Sequence, residues 1–151
     1  MISKKTVSMA MLAAFLSANV NAEEHVIKAV VTNWVPLVTY VKPGDTVKFV
    51  QMVGHDTETI EGMFPKGATP WKSKLGEEGF IVKLEKKGAY IYKCAPHVTT
   101  GMVGAIVVGN GVPKNLAALD ASLSQVKIGN NMVKRAIRKL NEDLKKTGRL
   151  K

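Results

Sequence analysis

The chain has 151 residues, of which 46% are hydrophobic, and it carries 22 Lys or Arg against 12 Asp or Glu, a formal net charge of +10. This length is within the range of one domain with a real hydrophobic core, and no apolar run reaches the ~20 residues of a membrane-spanning helix. A basic chain is expected to meet acidic partners quickly, although such a charge also serves solubility alone.

The N-terminus has the pattern of an export signal. Two lysines precede an apolar run from Val7 to Leu16, and small residues follow at 20–22. A membrane anchor is the alternative, but the run is too short for one. We therefore predict a signal peptide at 1–22 and a mature chain that begins near Glu23 and does not insert into the membrane. That chain keeps 20 basic and 12 acidic residues, a net charge of +8.

Residues 23–110 are predicted to form a mainly β domain. Short runs rich in Val, Ile and Tyr are separated by turn signals such as Lys42–Asp45 and Lys86–Gly88, which is typical of a sandwich or barrel. The segment 62–78 is rich in Gly and Pro and predicts an ordered loop. The predicted strands are His25 to Thr32, Val38 to Val41, Thr46 to Gln51, Phe80 to Leu84, Ala89 to Lys93 and Val103 to Val108.

The remaining segment, 111–151, is predicted to be helical because the hydrophobic period changes from two to about three and a half. One face is formed by Leu116, Leu119 and Leu123, and a longer helix begins near Asn131. The apolar stripe of that helix is expected to pack on the sandwich. Nucleic-acid binding through this basic helix is disfavoured by the predicted export and by the lack of interleaved aromatic residues. The stripe consists of Val133, Ala136, Ile137, Leu140 and Leu144.

Cys94 is the single cysteine, and in an exported chain such a thiol is expected to be buried, intermolecular or ligated. His97 and Met102 follow it as Cys-x2-His-x4-Met in a loop between two predicted strands, and His55 stands in the loop after another strand. Two imidazoles and a thiolate with a weak axial thioether are the ligands of blue-copper electron-transfer sites. The four residues together therefore predict a metal site, whereas any one of them alone would usually be a core-packing or solvent-exposed side chain.

Zinc is the main alternative metal, but a thioether is a poor zinc ligand and the paired-cysteine spacing of structural zinc sites is absent. Four filled positions leave no place for a substrate, so we predict an electron carrier and not an enzyme. A copper oxidase or reductase would need more histidines than the three present. A copper chaperone or storage protein would use exchangeable Met- or His-rich sites. His25 fits no ligand set and is assigned to the surface.

At these residues the sequence resembles the cupredoxins and, among them, the pseudoazurin group. The loop Cys94–Met102 also looks like that of plastocyanins, while Pro43–Val47, Lys72–Lys74 and the two C-terminal helices follow the pseudoazurin pattern. The resemblance implies a Greek-key β-sandwich of about eight strands and a monomer that shuttles electrons in a periplasm. It also implies one type 1 copper, bound by His55, Cys94, His97 and Met102.

The resemblance further implies a docking surface for acidic redox proteins, such as a nitrite reductase or a c-type cytochrome. The ring edge of His97 is expected to be exposed within an apolar patch that includes Pro36, Pro96 and Val98. A basic ring around this patch is expected from Lys72, Lys74 and Lys93.

Asp56 departs from the pseudoazurin pattern, in which Asn usually follows the first ligand histidine. Its carboxylate, when ionised, can accept hydrogen bonds but cannot donate them. The redox potential is therefore expected to depend on this residue.

Overall fold

The computed structural model describes residues 21–151, so nearly all of the predicted signal peptide lies outside the described residues. The described part contains eight strands, two α-helices and two short 3-10 turns. The strands are β1 Glu24–Val30, β2 Asn33–Val35, β3 Val38–Val41, β4 Thr46–Val50, β5 Glu58–Thr59, β6 Phe80–Lys83, β7 Gly88–Lys93 and β8 Val103–Val108. The helices are α1 Leu116–Ser122 and α2 Asn130–Lys146, and the turns span Val98–Thr100 and Leu123–Gln125.

The strands form two four-stranded sheets with the orders β2-β1-β4-β6 and β3-β8-β7-β5. The pairs β1–β4 and β3–β8 are parallel, and all the other pairs are antiparallel. Parallel neighbours require long crossover connections, so the chain passes back and forth between the sheets. The predicted sandwich of about eight strands with two C-terminal helices is confirmed.

The space between the sheets is filled by an apolar core dominated by aromatic rings. Trp34, Phe49 and Tyr92 contact one another with ring centroids 5.4–5.5 Å apart, at the tilted and edge-on angles that aromatic pairs prefer. Tyr90 and Ile106 come from the central strands of the opposite sheet and join this cluster. Cys94 and Met102 lie at one end of the same core, so the candidate ligands are continuous with its packing.

A second core lies on the outer face of the sheet that contains β7 and β8. Alternate residues of these strands, such as Ile91 and Ala105, point away from the first core and pack against α2. All six residues of β8 are buried, because one of its faces meets the opposite sheet and the other meets the helix. The helix contributes its predicted apolar stripe of Val133, Ala136, Ile137, Leu140 and Leu144.

The start of α2 is held against the loop that follows β7. Gly129 precedes the helix with φ +73°, and a Cβ atom there would lie 2.6 Å from Cγ2 of Val98. Glycine is therefore required both for the left-handed backbone and for the close approach. Among residues 21–151, neither helix is long and apolar enough to cross a membrane.

Two strands were not predicted from the sequence. β2 and β5 have three and two residues, too few to display a period of two. The predicted first strand ends early because Val31 has a positive φ of 55°, which turns the chain into β2. The range 62–78 contains neither a strand nor a helix, so the expected loop is confirmed.

Candidate metal centre

The four predicted ligands come from the ends of three strands. His55 follows β4, Cys94 directly follows β7, and Met102 directly precedes β8. Because β7 and β8 are antiparallel neighbours, the end of one strand lies beside the start of the next. The loop between them returns the chain across this short gap and carries His97.

The ligand atoms of three of these residues converge. Sγ of Cys94 lies 3.6 Å from Nδ1 of His55 and 3.4 Å from Nδ1 of His97, and all three atoms are within 4.8 Å of one another. A metal bound at about 2.0 Å to nitrogen and about 2.3 Å to sulfur, with angles near 110–120°, would place N and S about 3.5–3.7 Å apart. The observed separations fit an ion with one thiolate and two imidazole ligands.

The loop that carries His97 is closed by its own backbone. The N–H of Cys94 donates to the carbonyl of Met102 at 3.0 Å, and the N–H of Met102 donates to the carbonyl of His97 at 3.1 Å. Gly101 has φ +101°, which ends the 3-10 turn and returns the chain to β8. These bonds fix the backbone of Met102, whose side chain is fully buried in the same core cluster as Cys94.

The loop that carries His55 is held by hydrogen bonds on both sides. The N–H of His55 donates to the carbonyl of Met52 at 2.8 Å, and its own carbonyl accepts from the N–H of Gly76 at 2.7 Å. The carboxylate of Glu78 accepts from the N–H groups of Gln51 and Met52 at 3.0 and 2.9 Å. These bonds fix the backbone of the loop that carries the imidazole.

The electrostatics of the site favour a neutral imidazole. Burial lowers the pKa of His55, and the nearby His97 lowers it further, while Asp56 acts in the opposite direction. Burial raises the pKa of the Cys94 thiol, and the backbone N–H groups of Asp56 and His97 offset only part of this increase. A cation in the site would offset the cost of the buried thiolate, since a coordinating thiol is deprotonated by its metal.

Asp56 joins the two ligand loops. It is buried, and its Oδ1 accepts a 2.6 Å hydrogen bond from the N–H of Ala95, the residue after Cys94. The next residue, Thr57, continues this connection, because its N–H donates to Oγ of Ser73 and its hydroxyl accepts from Nε1 of Trp71. A carboxyl side chain, and not an amide, therefore lies in the wall of the site beside Cys94.

The surface over the site differs in part from the prediction. His97 is partly exposed and Pro96 is exposed, as expected. Val98 is only 2% exposed, because the start of α2 covers it, so the prediction that it belongs to the exposed patch is wrong. Two apolar residues beside His55 are exposed instead, Val53 at 88% and Leu75 at 65%.

Two of the three predicted docking lysines share one carboxylate. Nζ of Lys72 and Nζ of Lys93 lie 2.9 and 3.2 Å from the two oxygens of Glu58 on β5. Burial alone would raise the pKa of Glu58, but the two ammonium groups hold it below its usual range. Lys74 is exposed and forms no ion pair within the described part of the chain.

A second group of ligand types involves His25, Asp45 and Glu23, near the starts of β1 and β4 and so at the opposite end of β4 from His55. The Asp45 carboxylate already accepts from the N–H groups of Glu23 and Lys42 at 2.9 and 2.8 Å, and it lies 2.9 Å from Nε2 of His25. Its oxygens are thus satisfied by the protein itself. This cluster serves the fold, and His25 lies at its partly exposed edge, with its side chain 21% exposed.

Residues 18–109 match the family described as copper binding proteins, plastocyanin/azurin family. The chain is 47% identical over 76 residues to a pseudoazurin of Methylorubrum extorquens, covering 50% of this chain and 51% of that protein. It is 34% identical over 105 residues to a pseudoazurin of Paracoccus pantotrophus, covering 60% of this chain and 71% of that protein. The alignment thus spans about half the length of the first of these relatives.

The fold is likewise similar to that of a pseudoazurin. The structure of a pseudoazurin from Sinorhizobium meliloti superimposes with a TM-score of 0.66 at 36% identity, covering 78% of this chain and 96% of that one. This coverage, more than three quarters of the chain, extends well beyond the copper-ligand loop.

Proposed function

Because its sequence matches that family over more than half of its length, the chain belongs to the copper-binding proteins of the plastocyanin/azurin family, and we propose that it is a one-electron carrier. One observation carries the proposal: Sγ of Cys94 and Nδ1 of His55 and His97 converge at separations suited to one ion. We assign Met102 as the weak fourth ligand, because its carbonyl accepts from the N–H of Cys94 and its side chain is buried in the same core cluster.

The donor set favours copper over zinc. A thiolate and a thioether are soft ligands that suit Cu(I), while two imidazoles suit Cu(II). When bound, the copper ion would supply a Cu(II)/Cu(I) couple. No position is left in this shell for a substrate, which supports a carrier and not an enzyme.

The protein's contribution is to hold the ligands still and to keep water away from them. Cys94 and Met102 are fully buried, and His55 is buried. Their loops are pinned by the backbone hydrogen bonds described above and by Glu78 and Asp56. Little reorganisation then has to accompany the gain or loss of an electron.

His97 is the proposed port for electrons. It is the one ligand of the four that is more than marginally accessible, and Pro96 beside it is exposed. An apolar surface over the ring edge, with Val53 and Leu75 on the His55 side, would allow a partner to approach without a costly layer of bound water.

The partners and compartment are also proposals. We propose that residues 1–22 direct export and are removed, and that residues 23–110 and 111–151 function as a sandwich and its helical extension in a monomeric periplasmic protein. Acidic redox proteins would be the partners, with a nitrite reductase or a c-type cytochrome as the candidates that pseudoazurin similarity supports. Net charge and exposed Lys74 support the preference for acidic surfaces.

An absorption spectrum tests the proposal directly. Addition of Cu(II) to the purified metal-free protein should give an intense blue or green band from thiolate-to-copper charge transfer, which ascorbate bleaches reversibly. Cys94→Ser should abolish the band, and His25→Ala should keep it, because His25 belongs to the Asp45 cluster. A colourless complex that cannot be reduced would contradict the electron-carrier assignment.

A further inference from the structure

The basic groups nearest the candidate metal centre are not all equally free to meet a partner. Lys72 and Lys93 are both paired with Glu58, so the three groups together contribute a single positive charge. Lys93 is also only 24% exposed. A partner's carboxylate that displaced Glu58 from these lysines would stabilise the complex little, because one ion pair would be lost for each one formed.

A second basic surface adjoins the ligand loop from the other side. Helix α2 packs on the 3-10 turn Val98–Thr100, and a Cβ at Gly101 would lie 3.9 Å from a terminal nitrogen of Arg135. One helical turn further on, Lys139 lines the same small cavity of about 40 Å³ as Arg135. The cavity is also lined by Asn33, Leu37, Thr100, Gly101, Val103, Met132 and Ala136.

Arg135 is exposed and Lys139 is partly exposed, and among the described residues neither is held in an ion pair, although Lys139 lines a neighbouring cavity together with Glu142 and Asp143. Within residues 21–151, neither Arg135 nor Lys139 has a carboxylate within 4.0 Å. The acidic residues of α2 are engaged elsewhere: Glu142 pairs with Arg138 at 3.7 Å, and Asp143 accepts a 2.6 Å hydrogen bond from the hydroxyl of Tyr40.

We propose that Arg135 and Lys139 form the cationic half of the docking surface, and that they receive carboxylates of an acidic redox-protein partner beside the Met102 end of the ligand loop. The proposal rests on the proposed electron-carrier function. An arginine presents parallel N–H donors that fit a carboxylate bidentately, and a lysine one turn away adds a second point of attachment. The cavity is too small to enclose a free organic ligand, whereas a protruding carboxylate needs only its rim. Leu37 supplies apolar contact between this rim and the exposed Pro36.

The test compares two double charge reversals that change net charge equally. One is Arg135→Glu with Lys139→Glu. The other is Lys86→Glu with Lys87→Glu, at exposed residues before β7 and so about 20 Å from Cys94 at the far end of that strand. The copper-loaded proteins are mixed in stopped flow with a reduced, acidic plant-type [2Fe–2S] ferredoxin at low ionic strength.

The α2 reversal should lower the second-order rate constant by about tenfold or more and flatten its dependence on salt, whereas the control reversal should lower it by about twofold or less. Equal losses in the two variants would overturn the proposal, since net charge alone would then govern encounter. Binding to phosphatidylglycerol vesicles that is lost in the α2 variant, with an unchanged rate to ferredoxin, would overturn it in favour of a membrane surface. The blue band and its reversible bleaching, measured on the same samples, test the proposed function separately.

Discussion

Oδ1 of Asp56 accepts a 2.6 Å hydrogen bond from the backbone N–H of Ala95, and this bond joins the loop of His55 to the loop of Cys94. An asparagine could accept the same bond through its amide oxygen. The contact therefore explains the geometry but not the choice of a charged residue.

Asp56→Asn is expected to raise the reduction potential of the copper-loaded protein. The carboxylate stabilises the more positive Cu(II) state, and its removal from a buried position should shift the potential by roughly 50 mV, equivalent to about 1 kcal/mol. Cyclic voltammetry of both proteins provides the measurement. Glu85→Gln, which removes an exposed carboxylate, is the control and should leave the potential within about 10 mV; a fall in Asp56→Asn would contradict the assigned role.

Met102→Gln is expected to retain copper and to lower the potential. An amide oxygen is a harder donor than a thioether and favours Cu(II), while the three remaining ligands still anchor the ion. The potential and the charge-transfer band should both shift. Met132→Gln, a matched change on α2, should alter neither, and an unchanged potential in Met102→Gln would show that Met102 belongs to the core alone.

Glu58→Gln is expected to accelerate electron transfer with an acidic partner. The change releases Lys72 and Lys93 from their shared carboxylate and adds one unit of positive charge beside Cys94. The rate constant with reduced ferredoxin should rise about two- to fivefold at low ionic strength, and the increase should vanish at high salt as the Debye length shortens. Glu85→Gln adds the same charge beside Lys83, at the end of the sandwich far from Cys94, so an equal rise in that control would argue against a local effect.

Asp45→Asn is expected to destabilise the metal-free protein at neutral pH but not in acid. The pKa of Asp45 is lowered to about 2, chiefly by the hydrogen bond from the N–H of Glu23. Hydrogen bonds from Lys42 and His25 lower this pKa further, while burial acts in the opposite direction. A carboxyl with a depressed pKa contributes stability above its unfolded value of 3.8, and this contribution is lost as pH falls through about 2. Asp45→Asn should lower the free energy of unfolding by about 2 kcal/mol at pH 7 and by almost nothing near pH 2.

Urea denaturation of both proteins at several pH values measures this difference. Glu85→Gln again serves as the control, because its partner Lys83 lies at the surface and such exposed pairs contribute little. If Asp45→Asn lowers the free energy of unfolding by the same amount at every pH, the effect comes from packing and not from charge.

The convergence of three of the candidate ligands could be predicted from the sequence, because chemistry limits their types and strand ends limit their positions. Cys94, His97 and Met102 lie within one loop, and His55 follows a strand with a clear period of two. The burial of Val98 was not predictable, since nothing in a loop sequence shows which helix covers it. The position of Arg135 beside Gly101 likewise depends on how α2 docks, and the pairing of both Lys72 and Lys93 with Glu58 depends on β5, a strand of two residues.

Strand β8 separates two cores that share its backbone, with Ile106 facing the aromatic cluster and Val107 facing α2. The sandwich and the C-terminal helices cannot then melt independently, because loss of α2 would expose one whole face of this strand to water. Thermal unfolding should consequently be a single cooperative transition, in which helical circular dichroism and the near-ultraviolet signal of the buried aromatic rings disappear together. The copper-ligand loop, tied at both ends to β7 and β8, would be lost in that same step.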